Sequence, residues 1–342
     1  MTIHDDRPSL EQWGKLYEVA RNIRQLEPWK YLWDTDLITI MLPGREEPIY
    51  CSVMGRIGEC YAIGVYPGFK SVNSFYRIAE SSKDDLPFIV GLEQDCLICN
   101  YGDRVEVAKE DREVYKALGL RFRGQNEWIY FRSMAPGYVP WHIDSDQADL
   151  LLQVLQNLTM ALIHLKNEKI KVDFDSGETL LRFFSPEDGL WYNNVVEMPP
   201  RLVVTPRLIV GNEVLMAKLK KHRRNGARLE FDVVYLPAPI QENKGDRPFF
   251  PRFALLMDKK IGIVIDQHMA RTDDYIEVDI LEMLTRYIMK SGRPASINVR
   301  DDRVVRYIGD FCDKLAITLI EGKGVPYVDD LLKGILASIS MT

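Results

Sequence analysis

The sequence predicts two domains of mixed class: an N-terminal α+β domain built on antiparallel strands over residues 1–200, and an α/β domain over residues 201–342 with a mixed five-stranded sheet and helices on both faces. Three observations predict it. Short runs of β-formers at Asp36–Leu42, Ile49–Met54 and Cys60–Tyr66 are separated by brief Pro/Gly links, the pattern of an antiparallel meander. The last ninety residues read as three hairpin-linked strands, then helix, strand, helix, strand, helix, an order whose crossovers make the later strands parallel and right-handed. Between the two stretches, Met198-Pro199-Pro200 punctuates the chain.

The elements follow in order. Ser9 caps a first helix with Gln12 three residues on, and Trp13, Leu16, Ala20 and Ile23 repeat at helical spacing until Pro28. After the meander, a short helix is expected over Val72–Glu80 and a hairpin within Cys96–Val107, turning at Asn100–Asp103. Lys109–Leu118 reads as a helix stopped by Gly119, and Trp128–Ser133 as a strand. Asp144, with Gln147 three residues later, caps the strongest helix, where Leu151, Leu155, Leu158, Leu162 and Leu165 form one stripe. Strands follow at Thr179–Phe184 and Trp191–Val196. Helix Asn212–His222 and strand Leu229–Leu236 form an extension ahead of the C-terminal sheet, joined to it by the polar, proline-rich loop PAPIQENKGDRPFFP. The sheet's five strands are expected at Phe253–Asp258, Ile261–His268, Tyr275–Ile280, Ser296–Arg300 and Ala316–Ile320, with helices at Glu282–Lys290, Arg303–Lys314 and Pro326–Leu336.

Composition narrows the function. With 342 residues, 46% apolar and 27% charged, the chain is long and apolar enough for two cores. A formal net charge of −6 predicts no general attraction to nucleic acid or anionic membrane, so nucleic acid is possible as a partner but not favoured. The N-terminal MTIHDDRPSLEQW lacks the apolar run of a signal peptide, and uninterrupted apolar stretches stay short of a membrane span; the expectation is a cytoplasmic protein. Five scattered cysteines read as free thiols, and Cys96 and Cys99 would point to opposite faces of a strand. No nucleophile elbow, P-loop or dinucleotide fingerprint occurs, and no cofactor is expected.

The element order of residues 250–340 resembles the ribonuclease H-like fold shared by ribonucleases, transposases and integrases. That resemblance implies carboxylates on the first strand, at the end of the fourth and on the last helix, holding Mg²⁺ or Mn²⁺ for phosphodiester chemistry. The residues matching those positions are Asp258, Asp301 and Asp330, with Asp258 and Asp301 as the metal ligands. Asp258 also reads as a turn carboxylate and Asp301 as an ordinary helix N-cap, and residues 251–342 carry no excess of Lys and Arg. Over its whole length the chain also resembles an uncharacterised bacterial two-domain family, through WKYLWDTDLITI, YCSVMGRIGECYAIGVY, FRSMAPGYVPWHID, YLPAPIQENKGDRPFFPRFALLMD and GRPASINVRDD. This implies two domains of unknown function and transfers no activity.

Two readings therefore stand: a binding or adaptor protein with a catalytically silent second domain, and a metal-dependent nuclease or phosphoryl-transfer enzyme using Asp258, Asp301 and Asp330. For binding, the arginine–aromatic stretch is the strongest candidate, with Arg121, Arg123, Arg132, Tyr138, Trp141 and His142 beside a Pro/Gly-rich turn, suited to a protein or small ligand.

Overall fold

A computed structural model describes residues 6–80, 90–198, 207–322 and 324–339. The chain divides into two compact units: Met1–Ala79, Gln94–Ala135 and Pro140–Leu202 form the first, and Glu80–Glu93, Pro136–Val139 and Val203–Thr342 the second. The Met198-Pro199-Pro200 boundary lies largely outside the described residues.

The first unit is built on a seven-stranded sheet. In chain order its strands are β1 (Ile38–Met41), β2 (Ile49–Met54), β3 (Tyr61–Pro67), β4 (Cys96–Gly102), β5 (Trp128–Met134), β6 (Glu178–Ser185) and β7 (Leu190–Glu197). They lie side by side as β5-β4-β3-β2-β1-β6-β7. Every neighbouring pair is antiparallel except β1 and β6, which run parallel with Ile38 opposite Leu180.

Alternation along the strands divides the core into two layers. Ile49, Cys51 and Val53 of β2 face helices α1 (Leu10–Leu26) and α4 (Ser145–Lys166), whereas Tyr50 joins Tyr66, Val72 and Phe75 under α2 (Gly68–Ala79) on the opposite face. Both long helices start with the capping boxes read from the sequence, Ser9 with Gln12 and Asp144 with Gln147. Gln12 also ties the two helix starts together: its amide donates to the Ser145 carbonyl at 3.1 Å and to Asp149 at 2.8 Å. By length and composition α4 is apolar enough to cross a membrane, but Leu151, Val154, Leu155, Leu158, Ala161 and Leu162 are all buried in this core.

The expected hairpin within Cys96–Val107 is not formed. Residues 96–102 make one straight strand between β3 and β5. At Asp103 the chain turns, with Glu106 N–H donating to the Asp103 carbonyl, and enters α3 (Lys109–Ala117) instead of returning as a strand. Asp111 draws it into that helix by accepting from the Ala108 N–H at 3.0 Å.

The second unit contains α5 (Glu213–Lys220), β8 (Arg228–Tyr235), β9 (Arg252–Asp258), β10 (Val264–Ala270), α6 (Glu277–Ser291), β11 (Ser296–Val299), α7 (Asp302–Leu315), β12 (Thr318–Glu321) and α8 (Pro326–Ile339). Its sheet runs β10-β9-β8-β11-β12. The first three strands are antiparallel, and β11 is parallel to both β8 and β12. This is the mixed five-stranded sheet expected, with helices on both faces: α5, α6 and α7 pack against Leu229, Phe231 and Val233, and α8 packs against Val234, Leu255 and Met257.

The strand register along the chain needs correcting. The first of the three hairpin-linked strands is Arg228–Tyr235, taken from the sequence as an extension, and it occupies the centre of the sheet. Tyr275–Ile280 is not a strand. The helix begins at Glu277, and Ile276, Ile280, Met283, Leu284 and Tyr287 recur at helical spacing toward the core. The proline-rich loop conceals the hairpin because it is long, yet Ile240 and Phe249 bridge across it and bury Phe249 and Phe250. Gly137 belongs to this unit as well, accepting from Phe250 N–H at 2.7 Å.

Candidate functional site

Strand β8 carries Glu230 and Asp232 among apolar residues, and both are fully buried. Because side chains alternate, the two carboxylates point to the face covered by α8, away from Leu229, Phe231 and Val233. Register places Arg300, one residue beyond β11, alongside Asp232. The Arg300 Nε donates to Asp232 at 2.7 Å, and its Nη2 donates to Asp329 of α8 at 2.6 Å. One guanidinium thus bridges a carboxylate on the central strand and one on the last helix. The other Asp232 oxygen accepts from Val233 N–H at 2.8 Å.

A second arginine reinforces the cluster. Arg303, in the first turn of α7, pairs with Glu93 and lies 3.5 Å from Asp301. Burial raises the pKa of Asp232, opposed by the nearby charges of Arg300 and Arg303. For Arg300 itself burial works against the charged form, but Asp232 and Asp329 outweigh it and keep the guanidinium protonated. Glu230 stands one step along the same face. Its Oε2 accepts from Tyr327 N–H at 3.0 Å, at the start of α8, and its Oε1 has no partner among the described residues.

The three carboxylates singled out from the sequence sit elsewhere in this geometry. Asp258 ends β9 and accepts from Lys260 N–H at 2.7 Å, a turn role. Asp301 caps α7, accepting from Arg303 and Val304. Asp330 is exposed and lies 3.9 Å from Lys333 Nζ. Among the described residues no group of three or more His, Cys, Asp or Glu side chains is placed to hold a metal ion, these three included. β8, not β9, opens this sheet, so its buried carboxylate is Asp232, and Arg300 links it to Asp329 of the last helix. Two acidic residues in the otherwise apolar LEFDVVYL were the available signal.

The arginine–aromatic stretch is divided between the units. Arg132 is half-buried and paired in bidentate fashion with Asp111, at 3.1 and 2.6 Å, with its guanidinium 4.8 Å from the Tyr130 ring. Trp141 is held by backbone bonds to Ser133, and the His142 ring lies 5.6 Å from it, tilted by 59°. Tyr138 belongs to the second unit, packed by Phe249 and Arg247. Arg121 and Arg123 are exposed and help line a cavity of about 380 Å³ in the first unit, together with Arg21 and Arg24 of α1. Cys96 and Cys99 are buried in different core layers, and burial pushes both thiols up to about 12, so the C-x-x-C pair is two packed thiols.

Residues 13–182 match a family described as a domain of unknown function (DUF7309), and residues 215–336 match a second domain of unknown function (DUF6930). No curated protein matches the chain. Among solved structures the chain is similar to part of a cryo-EM structure of simian T-cell lymphotropic virus intasome in complex with PP2A regulatory subunit B56 gamma. The identity is 15% and the TM-score 0.24, over 35% of this chain and 43% of that one, a likeness too slight to carry any argument. The protein is thus a two-domain chain of unknown function, α+β in its first part and α/β in its second.

Proposed function

We propose that the second unit is a ribonuclease H-like domain in which a fixed guanidinium replaces metal chemistry, and that the protein is a binding or adaptor protein rather than a phosphodiesterase. The strand order β10-β9-β8-β11-β12, three antiparallel strands followed by two parallel ones, supports the fold reading. The observation that carries the functional reading is Arg300 held between Asp232 and Asp329. Hard divalent cations need carboxylate oxygens with open lone pairs, and here both carboxylates are already engaged by N–H donors. A guanidinium supplies a positive charge but no open coordination position, so it cannot hold or acidify a nucleophilic water. The residues present do not fit Mg²⁺ or Mn²⁺.

The same reading takes the protein as bacterial and cytoplasmic, away from membranes, with a protein or small molecule as its partner. The test is calorimetric titration of the full chain with Mn²⁺, paired with cleavage assays on single- and double-stranded nucleic acid. No saturable Mn²⁺ heat and no metal-dependent cleavage are expected. Cleavage that needs Mn²⁺ and disappears in Asp232→Asn would overturn the proposal in favour of phosphoryl transfer.

A further inference from the structure

The cavity in the first unit concentrates positive charge on an otherwise acidic chain. Arg21 and Arg24 stand one helical turn apart on α1, and Arg121 and Arg123 flank Phe122 in the segment after α3. The single carboxylate in the lining, Glu127, is taken: it accepts from Arg24 Nε at 3.0 Å and from the same guanidinium's Nη2. The hydrogen bond from Arg24 holds the Glu127 carboxyl below the usual carboxylate range. Arg24 is further fixed 5.7 Å from the Trp29 ring and 5.8 Å from the Tyr101 ring. Arg21 lies over Phe122 at 5.1 Å, which orients its fork. Arg21, Arg121 and Arg123 make no ion pair among the described residues. Three uncompensated guanidiniums around a concave site with Phe122 and Ile129 in its wall are the chemistry that recognises phosphate bidentately and accepts an apolar ring beside it.

We propose that this cavity is a binding site for a small polyphosphorylated ligand of nucleotide size. The volume of about 380 Å³ lies within the ordinary range of small-molecule pockets. The net charge of −6 works against long anionic polymers, whereas a compact polyanion meets only the local field. The site is independent of the Arg300 cluster, so the proposal for the second unit and this one stand or fall separately.

The experiment is calorimetric titration of the full chain with inorganic pyrophosphate and with adenosine diphosphate at about 0.15 M salt, where weak surface attraction is screened. Saturable binding of both is expected, with sulfate at equal ionic strength a poor competitor. The Arg121→Ala/Arg123→Ala double variant should bind at least about tenfold more weakly, each lost charge-assisted contact accounting for part of that factor. Its melting temperature should stay at the wild-type value, because both side chains are exposed and make no ion pair among the described residues. Absence of saturable heat from either probe overturns the proposal, as does equal affinity in the double variant. Binding of a single-stranded RNA oligomer without binding of pyrophosphate also overturns it, since the surface would then serve a nucleic-acid backbone.

Discussion

Replacing Arg300 by methionine tests the central cluster of the second unit most directly. The substitution preserves much of the side chain's bulk and removes two charge-assisted bonds, at 2.7 Å to Asp232 and 2.6 Å to Asp329. The two carboxylates respond differently. Asp329 keeps some contact with water, its side chain 13% exposed, and can be resolvated. Asp232 is fully enclosed and is left with the Val233 N–H and the more distant Arg303. The loss is therefore dominated by one uncompensated buried carboxylate, for which about 3–5 kcal/mol is the general magnitude. For a unit of this size that corresponds to a fall of about 10–15 °C in melting temperature. Urea and thermal unfolding followed by circular dichroism would measure it, with the two units resolved as separate transitions where they separate. Adding Asp232→Leu to Arg300→Met should restore much of the stability, because an apolar pair of similar bulk no longer strands a charge. With the guanidinium gone, Mn²⁺ should stabilise Arg300→Met more than wild type, by the mass-action gain of a ligand that binds only the folded state. A loss below about 1 kcal/mol for Arg300→Met would refute the claim that this guanidinium neutralises a buried carboxylate pair.

Glu230→Gln should raise the melting temperature at neutral pH. Burial lifts the folded-state pKa of Glu230 above the usual 4.5, so the native state holds its proton longer than the unfolded chain and loses stability as pH rises through that folded pKa. Below 4.5 both states are protonated, and the advantage of the glutamine should vanish in melts run across pH. Gly137→Ala should cost about 2–4 kcal/mol by the same melts: the residue has φ +75°, and a Cβ there would lie 1.9 Å from Thr272 Oγ1 and 2.4 Å from the Tyr235 ring. An aromatic disulfide reagent should titrate one thiol in the native protein and five after unfolding. Cys60 is exposed, whereas Cys51, Cys96, Cys99 and Cys312 are buried with their pKa values raised.

Periodicity and caps were enough to read both long helices of the first unit, because their signals are local. Ser9 with Gln12 and Asp144 with Gln147 satisfy helix-end donors within a single turn, and the leucine stripe of α4 needs only a core to face. The strands of the meander and the closing helix–strand–helix–strand–helix order were legible for the same reason, whereas Tyr275–Ile280, read as a strand, falls largely in a helix. The sequence by itself also determined that Cys96 and Cys99 do not share a face, since a strand has a period of two.

Tertiary structure decided what distance along the chain conceals. The central strand of the second sheet is separated from β9 by a long proline-rich loop, so its place in the sheet follows from pairing with β9 and β11 and not from any neighbouring turn. Once β8 sits there, the buried carboxylates are Glu230 and Asp232, while Asp258 is left with a turn role. The partnership of Asp232, Arg300 and Asp329 joins residues 68 and 29 positions apart, and that of Arg303 with Glu93 spans 210. Likewise Arg21 and Arg24 reach Arg121 and Arg123 only because α1 packs beside the segment after α3. Such contacts arise from strand register and helix packing, which a one-dimensional pattern constrains only face by face. The residue types were visible in the sequence; which charges neutralise each other, and that Arg21, Arg121 and Arg123 of the cavity make no ion pair among the described residues, was set by the folded backbone.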